Sequence, residues 1–519
     1  MKQQGNRATG LSAIALVASL LVGIVLVVSL LANFAQASLG GEVRITVLQL
    51  NDIYEITPVE GGARGGLARV ATLRKRLLED NPNTYTILGG DAFSPSALGT
   101  AKVNGERLAG QQMVAVMNAV GFDYATFGNH EFDLSEAQFL KRLQESEFQW
   151  ISSNVTDAAG KPFPNVPRSQ ILTVRDAESG KRVRVGLLGL TIDSNKVDYV
   201  RYQDPFETAK AIVQELMQQR PDFIIAMTHL TIDEDRQLAA AVPEIDLILG
   251  GHEHENIQQW RLEEPGVPSC PAASSGTPIF KADANARTVY VYDLIYNTGT
   301  DCLQVRPRLE PITAAIPDDP ATAKVVDEWV ERGFQGFRDN GFQPEAVVAT
   351  TTETLDGLES SVRNQPTNLT DLIAQAMLAE VEGAQLALFN GGMIRIDDHL
   401  PPGKLSQYDI IRIMPFGGTI LSVEMPGELL QRALNQGLAN RGGGGYLQTA
   451  NVSQNETGNW LIQGKPLAVD AMYRVAINDF LVSGQEQGLG FFSLDAPGVK
   501  KLGEAGDIRF AVIRALHGQ

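Results

Sequence analysis

Four of the six histidines in this 519-residue chain fall in polar clusters that directly follow short apolar runs. Val43–Leu50 ends at Asn51-Asp52, and Tyr85–Leu88 ends at Gly89-Gly90-Asp91. Tyr124–Phe127 ends at Gly128-Asn129-His130-Glu131-Phe132-Asp133. Phe223–Met227 ends at Thr228-His229, and Ile245–Leu249 ends at Gly250-Gly251-His252-Glu253-His254. A single Asp after a strand is ordinarily a cap or turn former, and a single His is ordinarily a hydrogen-bonded structural residue. Five such ends in one chain call for another explanation. In extended backbone alternate residues project to the same side, so His252 and His254 can address one point. Imidazole, carboxylate and amide without thiolate make a hard-to-borderline set that suits Zn²⁺, Mn²⁺ or Fe. Two such ions about 4 Å apart can clamp a phosphate and generate hydroxide, so hydrolysis is the expected chemistry, with Asp91 as the shared carboxylate.

The elements that must position these groups read as an α/β domain over residues 42–310. Short β-rich runs alternate with helical patterns at Leu67–Leu78, Glu136–Leu143 and Thr208–Met217, the signature of a layered sheet-and-helix architecture. Ligands of open α/β sheets gather at strand carboxyl ends, which is where the clusters lie. Residues 311–340 begin Pro-rich and acidic and continue as a helix over Ala321–Arg338, a connector and candidate hinge. Residues 341–519 form a second α+β unit with a helix at Leu369–Val381, a strand at Ala384–Phe389 and a Gly442–Gly445 loop.

With 43 Lys+Arg against 61 Asp+Glu, the net charge of −18 excludes a nucleic-acid polymer or an anionic membrane as a partner bound through a basic face. A hydrophobic content of 44% excludes wholesale disorder. The first ten residues carry Lys2 and Arg7 and no acid, Leu11–Leu31 is uncharged and mostly apolar, and Ala35-Gln36-Ala37 follows. That pattern predicts export, either by a signal peptide cleaved after Ala37 or by an uncleaved membrane anchor, so 1–37 is the only segment expected to meet a membrane. The remainder is then periplasmic or extracellular. Cys270 and Cys302, the only cysteines, are either one disulfide or two buried thiols.

Asp52, Gly90-Asp91, Gly128-Asn129-His130-Glu131, His229 and Gly251-His252-Glu253-His254 resemble, in order, the motif series of the calcineurin-like metallophosphoesterases. Val362-Arg363, the run Asn390–Arg395, the run Pro415–Thr419 and the run Tyr473–Phe480 resemble motifs of the secreted 5′-nucleotidase family, so the resemblance spans Val43 to the end. It implies a layered αββα metallophosphoesterase domain followed by a smaller α+β substrate-binding domain that rotates about the connector. It implies two divalent metal ions. One is held by Asp52, Asp91 and His254, and the other by Asp91, Asn129, His229 and His252. His130 and Asp133 resemble the family's catalytic dyad, acting beside hydroxide that attacks phosphorus in line. Asn390 lies in the substrate-binding series. Arg363 and Arg395 match positions that bind the substrate's phosphate, and Phe416 and Phe480 match the pair that sandwiches the base. The activity implied is phosphate release from nucleoside 5′-monophosphates. The alternatives are hydrolysis of 2′,3′-cyclic nucleotides or UDP-sugars at the same site, or a non-catalytic nucleotide- or metal-binding surface protein. Three positions depart from the pattern. Tyr54 replaces a ligating histidine and is expected not to ligate, which weakens the first site. Glu486 stands where an Asp usually reads the ribose. Pro366 stands where an acid is usual.

Overall fold

Side chains of the central strands divide by parity between two cores. In the strand Glu42–Leu50, Val43, Ile45 and Val47 face one apolar cluster while Leu48 and Leu50 face another. In Arg182–Thr191 the same split separates Val183, Val185 and Leu187 from Leu188 and Leu190. Strands buried on both faces need apolar residues at every position, which is why these runs read as continuous rather than alternating. A computed structural model of the chain describes residues 41–177, 179–259 and 276–517. Segment 1–37 and Cys270 lie outside these. Cys302 is disulfide-bonded. Among the described residues no helix is long and apolar enough to cross a membrane.

Two six-stranded sheets enclose the shared core. The first runs Cys302–Pro311, Thr288–Asn297, Glu42–Leu50, Thr84–Leu88, Tyr124–Ala125, Gln149–Trp150, and its last four strands are parallel. The second runs Ser169–Arg175, Arg182–Thr191, Phe223–His229, Leu247–Gly250, Ile279–Lys281, Ile257–Gln259. Its Arg182, Phe223, Leu247 and Ile279 strands are parallel. Helices cover both outer faces, Leu67–Asp80, Gln111–Val120 and Glu136–Glu145 on the first sheet and Pro205–Gln218 and Ile232–Ala241 on the second. The sequence marks several of these starts. Ser135 with Gln138 and Thr231 with Glu234 form capping boxes, and Asp204 caps a helix with Pro205 in its first turn.

The connector helix Pro320–Arg338 packs against the first half rather than standing free. Asp319 caps it through Thr322, and a Cβ at Gly336 would come within 2.5 Å of Lys102 O. The second half centres on a five-stranded sheet ordered Leu447–Ala450, Leu386–Asn390, Met472–Asn478, Thr419–Pro426, Lys500–Asp507. Helix Gly427–Ala439 packs on one face and helices Asn368–Glu380 and Ile508–His517 on the other. Three expected strands are trimmed: Ala384–Phe389 opens only at Leu386 and runs to Asn390, and two others are shorter. Tyr124–Phe127 is a strand only over Tyr124–Ala125, and Ile245 belongs to a turn, its N–H donating to Val242 O before the strand opens at Leu247.

Candidate metal centre and active site

The parallel strands of both sheets deliver their carboxyl ends to one edge, and the backbone there is bent into unusual conformations. Asp52, Asp91 and His252 have φ of 52°, 59° and 85°. Left-handed backbone at three non-glycine residues is strain of the kind that clusters at functional sites. Glycine makes room for the crossing loops. A Cβ at Gly128 would lie 2.1 Å from Asp91 Oδ1, and one at Gly90 would lie 2.5 Å from His229 Nδ1.

His229 Nδ1 donates to Gly89 O at 2.8 Å, which leaves the Nε2 lone pair for the cluster. That Nε2 lies 3.2 Å from Asp91 Oδ2 and 3.9 Å from Asp52 Oδ1, yet no hydrogen bond satisfies it. Ligand atoms of Asp52, Asp91 and His229 all fall within 4.8 Å of one another. Asn129 Oδ1 is likewise buried without a partner. Buried polar atoms are rarely left unpaired. Two such atoms of ligand type beside two buried carboxylates therefore fit a divalent cation. His252 N donates to Asp52 Oδ2 at 3.0 Å, and its ring centre lies 5.2 Å from that of His229.

Electrostatics suit the same occupant. Burial opposes a charge on His229, but Asp91 and Asp52 outweigh it and push its pKa up to about 9. Burial, and then the neighbouring His229, push His252 down to about 3. For His254 burial also opposes the charge, and the bond to Asp397 leads the effects that raise it to about 10. A cation bound at these nitrogens takes the place of the protons.

The structure gives Tyr54 a more central position than the sequence suggests. Its hydroxyl lies 3.2 Å from Asp52 Oδ1, 3.0 Å from Asp91 Oδ2 and 3.1 Å from His254 Nε2, the three residues assigned above to the first ion. Burial, then the charges of Asp91 and Asp52, push its pKa well above the usual tyrosine value. It is therefore a neutral phenol whose one proton is shared between Asp52 Oδ1 and Asp91 Oδ2, while its oxygen can accept from a protonated His254 Nε2.

Beside the cluster, His130 Nδ1 donates to Asp133 Oδ2 at 2.8 Å, and His130 N donates to Asp91 Oδ1 at 2.8 Å. Burial lowers the His130 pKa, but Asp133 and Asp91 reverse the sign and leave it raised. On the other side of the cleft, Arg363 and Arg395 each hold a buried Nε without a hydrogen-bond partner. Phe416 and Phe480 are 45% and 44% exposed, unusual for large apolar side chains in this protein, and the Arg395 guanidinium lies 5.9 Å from the Phe416 ring centre. Asn390 Nδ2 donates to Glu486 Oε2 at 2.8 Å, and Asn390 Oδ1 accepts from Asn478. A cleft of about 610 Å³ runs from His252 and His254 to Arg363 and Asp397.

Several groups that hold the site were not singled out in the sequence. Glu131 accepts backbone N–H bonds from Asp91, Ala92, Phe93 and Gly128. Asn195 Nδ2 donates to Asp133 Oδ1 at 2.6 Å and to Asn129 O. Asn285 Oδ1 accepts from Tyr54 N and Glu55 N. Asp397 meets His254 at 2.8 Å. Glu131 sits inside a motif already quoted. The others carry no local signal.

Residues 45–256 match the family model described as calcineurin-like phosphoesterase, and residues 347–493 match the model described as 5′-nucleotidase, C-terminal domain. The trifunctional nucleotide phosphoesterase YfkN of Bacillus subtilis is 29% identical over 495 residues, covering 85% of this chain but 32% of that longer protein. A 5′-nucleotidase of Vibrio cholerae is 27% identical over 419 residues, covering 71% of this chain and 72% of the relative. The solved 5′-nucleotidase precursor of Thermus thermophilus shares the fold, with a TM-score of 0.72, 23% identity and coverage of 92% and 96% of the two chains.

Proposed function

From the premise that this chain belongs to the family joining a calcineurin-like phosphoesterase domain to a 5′-nucleotidase C-terminal domain, and is a metal-dependent phosphoester hydrolase, we propose that it releases phosphate from nucleoside 5′-monophosphates. The observation that carries the reading is the pair of orphaned ligand atoms, His229 Nε2 and Asn129 Oδ1, beside Asp91 and next to the His130–Asp133 pair. The family uses two divalent ions. Asp52, Asp91 and His254 would hold one, and Asp91, Asn129, His229 and His252 the other. When bound, such ions polarise the phosphoryl oxygens and supply a nucleophile at neutral pH.

The remaining steps belong to the protein's own groups. Asp133 holds the His130 proton at Nδ1 and keeps the ring charged, so its Nε2–H can stabilise the oxygens that gain charge as the ester bond breaks. Asn195 in turn holds Asp133. Arg363 and Arg395 present planar guanidinium groups with spare donors, suited to two oxygens of one phosphate. Exposed Phe416 and Phe480 offer flat apolar faces to a base, a contact that accepts any base. Asn390 and Glu486, which are hydrogen-bonded to one another, would contact the ribose. The pattern of residues 1–37 supports action outside the cytoplasm.

The test is phosphate release from AMP, UDP-glucose and 2′,3′-cyclic AMP with Mn²⁺, Zn²⁺ or a chelator, for the wild type and His130→Ala. Turnover of AMP that the chelator and His130→Ala each abolish is expected. Turnover of only the cyclic or sugar substrate would move the reading to those esters. Activity indifferent to chelator and to His130 would overturn it.

A further inference from the structure

The two histidines of the centre that bracket Asp91 and Asp52 are oriented by different halves of the molecule. His229 is held by Gly89 O, a group of the same domain. His254 is held by Asp397 Oδ2 at 2.8 Å, and Asp397 comes from the second domain, seven residues after Asn390. We propose that Asp397 is a positioning residue of the metal centre, lent by the second domain, so that ion binding at His254 depends on the two domains being closed on one another.

Geometry supports each link. With Nδ1 bound to Asp397, His254 points Nε2 at the cluster, 3.6 Å from Asp52 Oδ1. A carboxylate on the remote nitrogen fixes the tautomer and strengthens the imidazole as a ligand. Asp397 cannot turn away freely. Its Oδ1 accepts Glu359 N at 2.8 Å, its carbonyl accepts from Arg287 of the first domain, and its φ is 40°. The adjacent Asp398 accepts Glu60 N at 3.0 Å and pairs with Arg412, while Arg287 pairs with Glu60 at 3.1 Å. Segment 397–398 is thus clamped by the first domain on several sides. Glu359 opens the short helix Glu359–Val362, and Arg363, the phosphate-side arginine, follows it and pairs with Glu359. One carboxylate therefore links an ion ligand to the arm that would grip the substrate. Linkage is reciprocal: if closure strengthens ion binding, a bound ion stabilises closure by the same factor.

This inference rests on His254 being a ligand, as the functional reading has it. The experiment is titration of the metal-free full-length chain with Zn²⁺ and with Mn²⁺ by calorimetry, for the wild type, Asp397→Asn, Asp397→Ala, His254→Ala and the His254→Ala/Asp397→Ala double variant. Asp397→Asn and Asp397→Ala should weaken one of two bound ions by about 10–100-fold and leave the other within about twofold. After His254→Ala, the further loss of Asp397 should change nothing. Hydrogen exchange over residues 395–400 should slow on adding ion to the wild type but not to Asp397→Ala. Unchanged ion affinities in Asp397→Ala, equal weakening of both ions, or additive losses in the double variant would each overturn the proposal. A wild-type chain that binds no divalent ion would overturn the functional reading together with it.

Discussion

Replacing Glu131 by Gln tests how the site is built, because the change keeps the volume and alters only hydrogen-bonding polarity. The Glu131 side chain is fully buried. Its Oε1 accepts from Ala92 N at 2.6 Å and Phe93 N at 3.2 Å, and its Oε2 from Asp91 N at 3.0 Å and Gly128 N at 2.5 Å. Whichever way a glutamine amide is turned, its NH₂ faces two of these donors and satisfies neither. Each buried N–H left without an acceptor costs about 1–3 kcal/mol, so two cost about 2–6 kcal/mol. Relief of the repulsion between Glu131 and Asp91 offsets part of this, which leaves about 3 kcal/mol. A domain of this size loses about 2–4 °C of melting temperature per kcal/mol, so a drop of about 6–12 °C is expected. The assay is a thermal melt of chelator-treated protein, which removes stabilisation by bound ions. It is run at pH 8, above the value of about 7 to which burial, and then Asp91, push the Glu131 pKa. A drop under about 2 °C would refute the claim that this carboxylate ties the Asp91 and Asn129 loops together.

Phe416→Ala should raise KM for AMP about 5–150-fold, from about 1–3 kcal/mol of lost base stacking, while sparing 4-nitrophenyl phosphate. Equal loss on both substrates would make Phe416 structural. The raised pKa of His130 implies an active imidazolium whose contribution is lost as pH rises through that pKa. Asp133→Asn removes a charge that raises it, so the alkaline limb of the pH–rate profile should move to lower pH, and a limb that stays in place would remove His130 from that role. Tyr54→His should tighten binding of the weaker of two Zn²⁺ ions in a calorimetric titration, since imidazole is the better neutral ligand. Weaker binding would show that the Tyr54 hydroxyl already ligates.

Much of the site was legible in the sequence because its signals are local. Each candidate ligand follows a run of β-rich apolar residues, most of them beside glycine, so Asp52, Asp91, Asn129, His229, His252 and His254 stand out before any fold is known. The helices were legible for a similar reason, through apolar residues at i, i+3/i+4 spacing in stretches such as Leu67–Leu78, Glu136–Leu143 and Thr208–Met217. The position of Tyr54 was not. The sequence shows a lost histidine, whereas the fold sets the phenol among Asp52, Asp91 and His254.

What the chain determines by itself is which residues can do chemistry and at which strand ends they stand, because apolar period, glycine and caps act within a few residues. What only the tertiary structure decided is which groups hold those residues in place. Asp397 reaches His254 across 143 positions, Asn195 reaches Asp133 across 62, and Glu131 reaches the Asp91 amide across 40. Such partners are chosen when sheets stack and domains close, and a hydrogen bond made only then leaves no periodic trace in the order of residues.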